Sequence, residues 1–191
     1  MSRPEALAAA WVLALLAFLA APVAASQRFA AEGEIEVAFS PRDDAEAVVL
    51  RVIREASRTL LVQAYVFTSR RIADEIVAAH WRGVQVAVLA DAKMNRRAEG
   101  NALPRLLAAG VPVALETGYA AAHNKLLIAD ETGPACAVLT GSYNFTWSAQ
   151  NRNAENLLVV RKHCALARAY ADNWRRHRAA ATTIRRLPFN P

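Results

Sequence analysis

The sequence has 191 residues, and its 23 lysines and arginines outnumber its 17 acidic residues, which gives a net charge of +6. It contains no low-complexity segment and no interdomain linker, which argues against several domains and for one domain with a proper core. The excess positive charge favours an anionic partner, either a nucleic acid or an anionic membrane surface.

The first 25 residues have the features of a secretory signal peptide. Arg3 precedes an apolar run of sixteen residues, 6–21, and Val23-Ala24-Ala25 fits the small-residue rule for cleavage. A membrane-spanning helix needs roughly 20 apolar residues. We therefore expect cleavage after Ala25 and a periplasmic or secreted domain over residues 26–191, with a retained N-terminal membrane anchor as the alternative. The segment holds one arginine and one glutamate, so its removal leaves the net charge at +6.

Strands and helices alternate through the first half of the remaining chain. Alternating apolar residues predict a strand from Ile35 to Phe39, and Ser40 and Pro41 predict the N-cap and first turn of a helix that ends by Ser57. The elements predicted next are strands Leu60–Phe67, Val84–Ala90 and Val111–Leu115, with a helix Arg70–Trp81 and a short helix that Asn101 caps and that ends at Ala109. This order predicts an α/β fold with a mixed β-sheet of about seven to eight strands and helices on both faces.

A β-hairpin is predicted in the second half. The short apolar runs Leu126–Ala129 and Ala135–Thr140 flank the turn-forming residues ETGP. Alternate side chains of a strand share a face, so His123 and Lys125 are expected to point the same way. Such a pair suits a phosphate group, because an imidazole can attack phosphorus while an ammonium group holds its oxygens.

The return strand of the hairpin is expected to bring Gly141, Ser142 and Asn144 to the level of His123. Glycine lets the backbone approach a ligand closely, and the serine and asparagine side chains add hydrogen-bond donors. Glu155 begins a further strand beside the hairpin. Its carboxylate is our candidate for holding the proton on one nitrogen of His123 while the other nitrogen attacks.

The two cysteines, Cys136 and Cys164, both lie in the exported part. Cys136 starts the strand that runs to Gly141, and Cys164 follows the strand Asn156–Arg161 and precedes a predicted amphipathic helix, Ala165–Ala181. If those strands are antiparallel neighbours, the two sulfurs can pair in an oxidising compartment. The alternative is two small buried hydrophobic side chains.

These residues carry a family resemblance. HNKLLIAD, from His123 to Asp130, fits the pattern His-x-Lys-x4-Asp, and GSYN, from Gly141 to Asn144, fits Gly-Ser-x-x-Asn. Together with Glu155-Asn156 and the upstream segments LLVQAYVFTS and RGVQVAVLAD, they make most of the mature chain resemble the phospholipase D superfamily. Within that superfamily it resembles the small, single-motif bacterial endonucleases that resist EDTA and are secreted homodimers.

The resemblance implies a phosphodiester hydrolase that needs no metal and no cofactor. It implies that His123 is the nucleophile and forms a covalent phosphohistidine that water hydrolyses, with Glu155 as its carboxylate partner. Lys125 and Asn144 would bind the phosphate oxygens, with Ser142 in support. The chain also has no Cys and His spacing typical of a metal site, so we expect activity to survive chelation.

One histidine cannot attack phosphorus and protonate the leaving oxygen from opposite sides at once. The other histidines, His80, His163 and His177, have no neighbours that resemble the motif. Two chains around a two-fold axis would each supply one His123 to a shared site, so a homodimer is expected.

Asp130 belongs to the motif, but its distance from His123 argues against a catalytic role. Seven residues of strand span roughly 23 Å and place the two side chains on opposite faces. We therefore predict a structural role for Asp130, in which it orders the ETGP turn or pairs with an arginine.

The loop that carries Lys93, Arg96 and Arg97 could line a groove for nucleic acid. Trp147 and Tyr119 could stack on bases, with core packing as the alternative for both. No base-reading motif is present, so little sequence specificity is expected.

The predicted function is a secreted, nonspecific, metal-independent endonuclease. The first alternative is a phospholipase D that acts on phospholipid headgroups through the same site. The second is a non-catalytic nucleic-acid-binding module. The sequence predicts no preference between DNA and RNA.

Overall fold

The computed structural model describes residues 26–96 and 100–188. The chain divides into two units, Met1–Ala30 and Ala31–Pro191. In the first unit, residues 26–30 have neither helix nor strand. The predicted signal peptide, residues 1–25, lies outside the described residues, as does Arg97 of the predicted cationic loop. Within the described ranges, no helix is both long enough and apolar enough to cross a membrane.

The described part of the second unit is built on an eight-stranded mixed β-sheet with the order β1-β7-β6-β5-β2-β3-β4-β8. β2, β3 and β4 run parallel to one another, and the other neighbouring pairs are antiparallel. The strands are β1 Glu34–Ser40, β2 Thr59–Ala64, β3 Gln85–Asp91, β4 Val113–Glu116, β5 Lys125–Ala129, β6 Ala137–Gly141, β7 Glu155–Arg161 and β8 Thr182–Ile184. This sheet confirms the predicted mixed architecture.

Helices cover both faces of the sheet, as predicted. They are α1 Ala45–Glu55, α2 Arg70–Trp81, α3 Leu103–Ala108, α4 Trp147–Asn151 and α5 Cys164–Ala180. The first three bury apolar side chains such as Ile53, Ile72 and Leu103 against one face. On the other face, α5 buries Trp174, whose indole N–H donates to the carbonyl oxygen of Val62 at 2.9 Å.

The start of α1 differs from the prediction. The strand β1 continues through Ser40, and the Ser40 hydroxyl donates to the carbonyl oxygen of Ala149 at 2.5 Å. The N-cap is Asp44, whose carboxylate accepts from the backbone N–H of Ala47 at 2.9 Å. A carboxylate at this position also interacts favourably with the positive end of the helix dipole, which favours Asp44 over Ser40.

Two further boundaries differ from the predictions. The helix α3 begins at Leu103 with Ala102 at its N-cap, one residue later than predicted, although the Asn101 side chain accepts from the Leu103 N–H at 2.8 Å. The segment Thr182–Ile184, for which the sequence predicts no element, pairs with β4 as the edge strand β8. Three residues are too few to give a recognisable alternation.

The strand directions bring most of the predicted site residues to one edge of the sheet, which we call the site edge. The C-terminal ends of β1, β2, β3 and β6 lie at this edge, together with the N-terminal ends of β5 and β7. The segments at these ends carry His123, Asn144, Glu155, Lys93 and Arg96.

Asp130 lies at the opposite edge, after β5, and only 2% of its surface is exposed. Its carboxylate accepts from the backbone N–H groups of Ser57, Arg58 and Thr59 at 2.9, 2.8 and 2.9 Å, and from the Ser57 hydroxyl at 2.8 Å. These bonds fasten the connection between α1 and β2. The side chain of Asp130 therefore bonds to no arginine side chain and not to the ETGP turn among the described residues, so its partners differ from those predicted. The turn is bonded to Asp130 only through the backbone carbonyl oxygen of Asp130, which accepts from the Gly133 N–H at 2.9 Å.

Cys136 and Cys164 form a disulfide bond at the same opposite edge. The pairing of Ala137 with Arg161 brings the start of β6 beside the end of β7. Of the two alternatives that the sequence left open for the cysteines, the structure has the covalent one.

Candidate active site

His123 and Lys125 form the centre of the site edge. β5 begins at Lys125, so His123 precedes the strand rather than lying within it. The Lys125 Nζ atom lies 2.8 Å from Nδ1 and 3.2 Å from Nε2 of His123, and it donates to the His123 carbonyl oxygen at 2.8 Å. The imidazole and the ammonium group therefore meet at one point.

Lys125 is unusually enclosed for a lysine, with 5% of its surface exposed. Burial lowers the pKa of Lys125, and the negative charge of Glu155 acts in the opposite direction. The Tyr65 ring lies beside both groups, with its centroid 4.2 Å from that of His123 and 4.7 Å from the Lys125 Nζ. An ammonium group with so little water around it attracts an anion more strongly than one in bulk solvent.

The strand β6 brings the second half of the motif back to this point. Leu126 pairs with Thr140, so Gly141 lies across from Lys125. Gly141 has a φ of 152°, and a Cβ atom there would overlap the carbonyl oxygen of Asn156 on β7. The close approach of these two backbones therefore requires glycine.

Ser142 and Glu155 are hydrogen-bonded to each other. The Ser142 hydroxyl donates to Glu155 Oε2 at 2.6 Å and accepts from the Asn156 N–H at 3.0 Å. Glu155 Oε1 accepts from the Asn153 side chain at 2.9 Å. Between described residues of one chain, the Glu155 carboxylate is thus bonded to Ser142 and Asn153 rather than to His123. The predicted bond that fixes the imidazole proton is not formed within one chain.

Asn144 is half-buried and its amide is uncommitted. Its Oδ1 atom is buried without a hydrogen-bond partner, and its side chain makes no hydrogen bond to another described residue. An unpaired buried polar group costs about 1–3 kcal/mol. Such a group at the site edge is available to a ligand.

The charge of Glu155 provides a direct test of the electrostatics at Lys125. Because the carboxylate opposes the effect of burial on the Lys125 pKa, Glu155→Gln should lower that pKa further. We expect the ¹⁵N or ¹³Cε NMR signal of Lys125 to titrate at a lower pH in Glu155→Gln than in the wild type. As a control, Glu75→Gln on α2 should leave the midpoint unchanged, and an equal shift in both variants would contradict the assignment.

Three residues that the sequence did not single out hold the site in place. Asp91 accepts from the N–H of Ala122, immediately before His123, and from the N–H of Met94, both at 2.8 Å. Asn95 is 2% exposed and donates to the Tyr65 carbonyl oxygen at 2.8 Å. Tyr65 in turn contacts His123 and Lys125. Two features of the sequence could have indicated these residues. Tyr65 lies near the end of one predicted buried strand, and Asp91 and Asn95 lie in the polar loop that follows the next predicted strand.

The predicted substrate-binding side chains lie at the site edge, on the loops after β3 and β4 and at the start of α4. Lys93 is exposed and donates to the Ala120 carbonyl oxygen at 3.0 Å, and Arg96 is also exposed. Trp147 is 58% exposed and Tyr119 is 49% exposed, so neither is a core residue. Across residues 26–96 and 100–188, no group of three or more His, Cys, Asp or Glu side chains is arranged to hold a metal ion.

Comparison with known proteins identifies the family. The family described as "Cardiolipin synthase, PLD-like domain" matches residues 49–178. The chain belongs to the phospholipase D superfamily. This confirms the resemblance, because the match includes both halves of the motif and the Glu155 strand.

Two named proteins are similar to this chain in sequence. The chain is 33% identical over 140 residues to a protein of Rickettsia prowazekii named Phospholipase D, over 73% of this chain and 65% of that protein. It is 31% identical over 134 residues to Mitochondrial cardiolipin hydrolase of Xenopus tropicalis, over 70% of this chain and 61% of that protein. The chain thus spans somewhat less than two thirds of the length of both relatives.

Two solved structures share the fold. Nuc from Salmonella typhimurium, a phospholipase D family member, superposes with a TM-score of 0.75 at 29% identity, over 80% of this chain and 99% of Nuc. NucT from Helicobacter pylori superposes with a TM-score of 0.71 at 20% identity, over 80% of this chain and 100% of NucT. The predicted fold class is therefore confirmed.

Proposed function

We propose that this member of the phospholipase D superfamily is a metal-independent phosphodiesterase, and that its substrate is nucleic acid, which it cuts as a nonspecific endonuclease. The observation that supports this best is the contact between Lys125 and His123, with the uncommitted amide of Asn144 at the same edge. A nucleophile, a fixed cation and an amide whose N–H can donate to a phosphate oxygen are three of the groups that phosphodiester cleavage requires, and a proton donor for the leaving oxygen is the fourth.

The reaction proceeds in two steps in this proposal. One nitrogen of His123 attacks phosphorus, so that a phosphohistidine forms as the bond to the leaving oxygen breaks. Lys125 and Asn144 bind the oxygens that gain negative charge, and Ser142 supports them. Water then attacks the phosphohistidine, releases the phosphomonoester product and restores the free imidazole.

The leaving oxygen needs a proton donor opposite the nucleophile, and no second histidine of the chain is close to His123. His163 caps α5 at the opposite edge, and His80 lies at the C-terminal end of α2. His177 contacts Glu116 of β4 at 2.6 Å and the Gln63 side chain of β2 at 3.3 Å. Gln63 points to the opposite face of the sheet from Ala64, the residue that pairs with Lys125, so His177 and Lys125 lie on different faces. We therefore propose a homodimer that places two copies of His123 in one site.

An exposed apolar strip on the sheet supports this assembly. Ile35, Val37 and Phe39 of β1 are 65%, 55% and 54% exposed. They pair with Val160, Leu158 and Asn156 of β7, and Leu158 and Val160 are only half-buried. Large apolar side chains seldom line an exposed strand in a monomer. The strip ends beside Glu155, so a partner that covers it would also reach the active site.

The strip gives a test of the homodimer. Val37→Asp should yield monomers and lower activity in proportion, because a charge buried between two chains is strongly disfavoured. The position is exposed in one chain, so the fold should persist by circular dichroism. Sedimentation should show a dimer for the wild type and for the control Trp81→Asp, which alters an exposed side chain on α2. A dimeric Val37→Asp variant would exclude this strip as the interface.

Export is the remaining part of the proposal. The apolar segment 6–21 followed by Val23-Ala24-Ala25 supports a signal peptide, and the Cys136–Cys164 disulfide suits an oxidising compartment. We propose a periplasmic or secreted protein, and N-terminal sequencing of the exported form should begin at Ser26.

Two observations bear on the choice of substrate. The net charge of +6 and the cations near the site edge favour nucleic acid. The relatives named Phospholipase D and Mitochondrial cardiolipin hydrolase favour a lipid as the second candidate.

The purified protein should be incubated in chelator with plasmid DNA, with RNA and with vesicles of phosphatidylcholine or cardiolipin. Nicked and linear DNA, or shortened RNA, without release of headgroups would support the endonuclease. Cleavage of lipid alone would establish the second candidate. Binding of nucleic acid without any cleavage would indicate a non-catalytic module.

A further inference from the structure

A groove of about 740 Å³ opens at the site edge between the segment that precedes α1, the N-terminal end of α2, and α4. Its lining includes Arg42, Arg70, Trp147 and Gln150. The helix α4 follows the motif directly, because Trp147 is three residues after Asn144. The Cα atoms of these two residues can therefore be at most about 11 Å apart.

Trp147 presents a prepared aromatic surface in this groove. The guanidinium carbon of Arg152 lies 5.0 Å from the centre of the indole ring and covers one of its faces. The residue nevertheless remains 58% exposed. An indole that is held on one side and open to solvent on the other can stack on a flat aromatic group.

The lining of the groove holds three carboxylates, each of which accepts a hydrogen bond from the protein, and three arginines, of which Arg71 is paired. Glu46 accepts from the Ser69 hydroxyl at 2.7 Å and from Arg71 at 2.6 Å. Asp43 accepts from the backbone N–H of Phe39, and Asp44 caps α1.

Two cations of the groove remain without partners. Arg42 and Arg70 are exposed and make no ion pair with any residue that the structure describes. Two free guanidinium groups beside an open indole are complementary to a nucleic-acid strand, because the guanidinium groups can pair with its phosphates and the indole can stack on its bases.

We propose that this groove binds an unpaired stretch of the nucleic-acid substrate, with one base stacked on Trp147 and neighbouring phosphates paired with Arg42 and Arg70. The inference rests on the proposed function, because it names the form of nucleic acid that the same active site accepts. Bases of a duplex are already stacked on each other, so only an unpaired base can lie on the indole. The protein therefore prefers single strands, overhangs or loops to blunt duplex.

Binding should be measured in the His123→Asn background with chelator present, so that no probe is cleaved. The probes are a fluorescein-labelled single-stranded 12-mer and the matching blunt duplex at one fixed salt concentration. Adding Trp147→Ala should raise the Kd for the single strand about tenfold, because stacking on one aromatic side chain has that magnitude. Trp147→Phe should restore most of the affinity. The matched control is Trp81→Ala, which removes a 74% exposed tryptophan at the other end of α2 and should change nothing.

The arginines have a separate readout. Replacing Arg42 and Arg70 together with alanine should reduce the slope of log Kd against log salt by about 1–2, because two phosphate contacts are lost. A Trp147→Ala change within twofold of the parent, or equal weakening of single strand and duplex, would overturn the proposal. So would loss of binding to anionic vesicles by Trp147→Ala with unchanged oligonucleotide affinity, since Trp147 would then be a membrane contact.

The two hypotheses fail in different ways. If the wild-type protein cuts neither plasmid nor oligonucleotide, the proposed endonuclease is wrong, whereas the Trp147 effect on binding can still be present. If the wild type cuts DNA and Trp147→Ala does not change the ratio of kcat/KM on single strand to that on duplex, only the groove proposal fails.

Discussion

Replacing His123 with asparagine is expected to lower phosphodiester hydrolysis at least about 10⁴-fold, the scale seen when a covalent nucleophile is removed. The imidazole is the group that the Lys125 ammonium contacts at 2.8 Å. Asparagine keeps the polarity and approximate size of the side chain but has no nitrogen that can attack phosphorus. The loss should appear in kcat, measured on a small chromogenic diester to exclude effects on nucleic-acid binding.

The control for this variant is His80→Asn, because His80 is a half-buried histidine at the C-terminal end of α2, remote from the site edge. It should retain the wild-type rate. His123→Asn should keep the melting temperature of the wild type within a few degrees, so that the loss can be assigned to chemistry. A fully active and folded His123→Asn protein would exclude the phosphohistidine mechanism.

Mixtures of chains extend the same prediction to the homodimer. If each active site needs two copies of His123, a mixed dimer of wild-type and His123→Asn chains should be inactive. After equal amounts of the two chains are mixed and reassociated, the activity should be about a quarter of that of wild-type protein at the same total concentration, as expected for random pairing in a two-fold dimer. Mixed dimers that work at the wild-type rate would contradict a shared site.

Replacing Asp130 with asparagine should have the largest effect on stability, a loss of about 3–5 kcal/mol in the free energy of unfolding. Asp130 has a φ of 49°, and asparagine adopts this left-handed conformation as readily as aspartate. The backbone is therefore preserved, and the loss reports the hydrogen bonds. An asparagine amide offers one acceptor oxygen where the carboxylate receives four donors from Ser57, Arg58 and Thr59.

The pH dependence of stability follows from the same contacts. Burial acts to raise the pKa of Asp130, but the hydrogen bonds from Thr59, Ser57 and Arg58 outweigh it, so the pKa lies below its ordinary value. The folded state then binds a proton less readily than the unfolded state. The stabilisation is complete above about pH 4 and is lost as the pH falls through the folded-state pKa. In Asp130→Asn, the free energy of unfolding should fall less steeply as the pH is lowered.

Urea unfolding of each variant between pH 3 and pH 7 tests both parts. Ser57→Ala, which removes only the hydroxyl donor, should cost about 1 kcal/mol and remains measurable if Asp130→Asn fails to fold. Asp172→Asn, a change at an exposed ion pair on α5, should lie within about 0.5 kcal/mol of the wild type. An Asp130→Asn protein with wild-type stability and no activity would instead assign Asp130 to catalysis.

The sheet and the motif were predictable because their signals are local. Apolar runs mark β2, β3, β5, β6 and β7, and the ETGP turn folds the hairpin so that His123 lies near Gly141 and Ser142. Strand parity and length also separate Asp130 from the site. These arguments need only the repeat of a strand and the position of a turn.

The remaining features depend on contacts between distant segments. Ser40 and Asp44 are both good cap residues, and the extension of β1 along β7 through Ser40 excludes Ser40 as the cap. Glu155 is bonded to Ser142 and Asn153, which its position before an apolar strand does not indicate. Tyr65 and Asp91 act through neighbours about 58 and 31 residues away, beyond the reach of any local pattern.

The site edge and the opposite edge of the sheet have different functions. The disulfide and the carboxylate of Asp130 stabilise the chain at one end. The groups that would meet a substrate lie at the other, on loops, at the start of β5 and at the start of α4. Sequence change in the loops around Lys93 and Trp147 therefore leaves the stabilising contacts untouched. The same fold can consequently evolve toward new phosphate-containing substrates by changes in those loops, while the contacts that stabilise the fold stay the same.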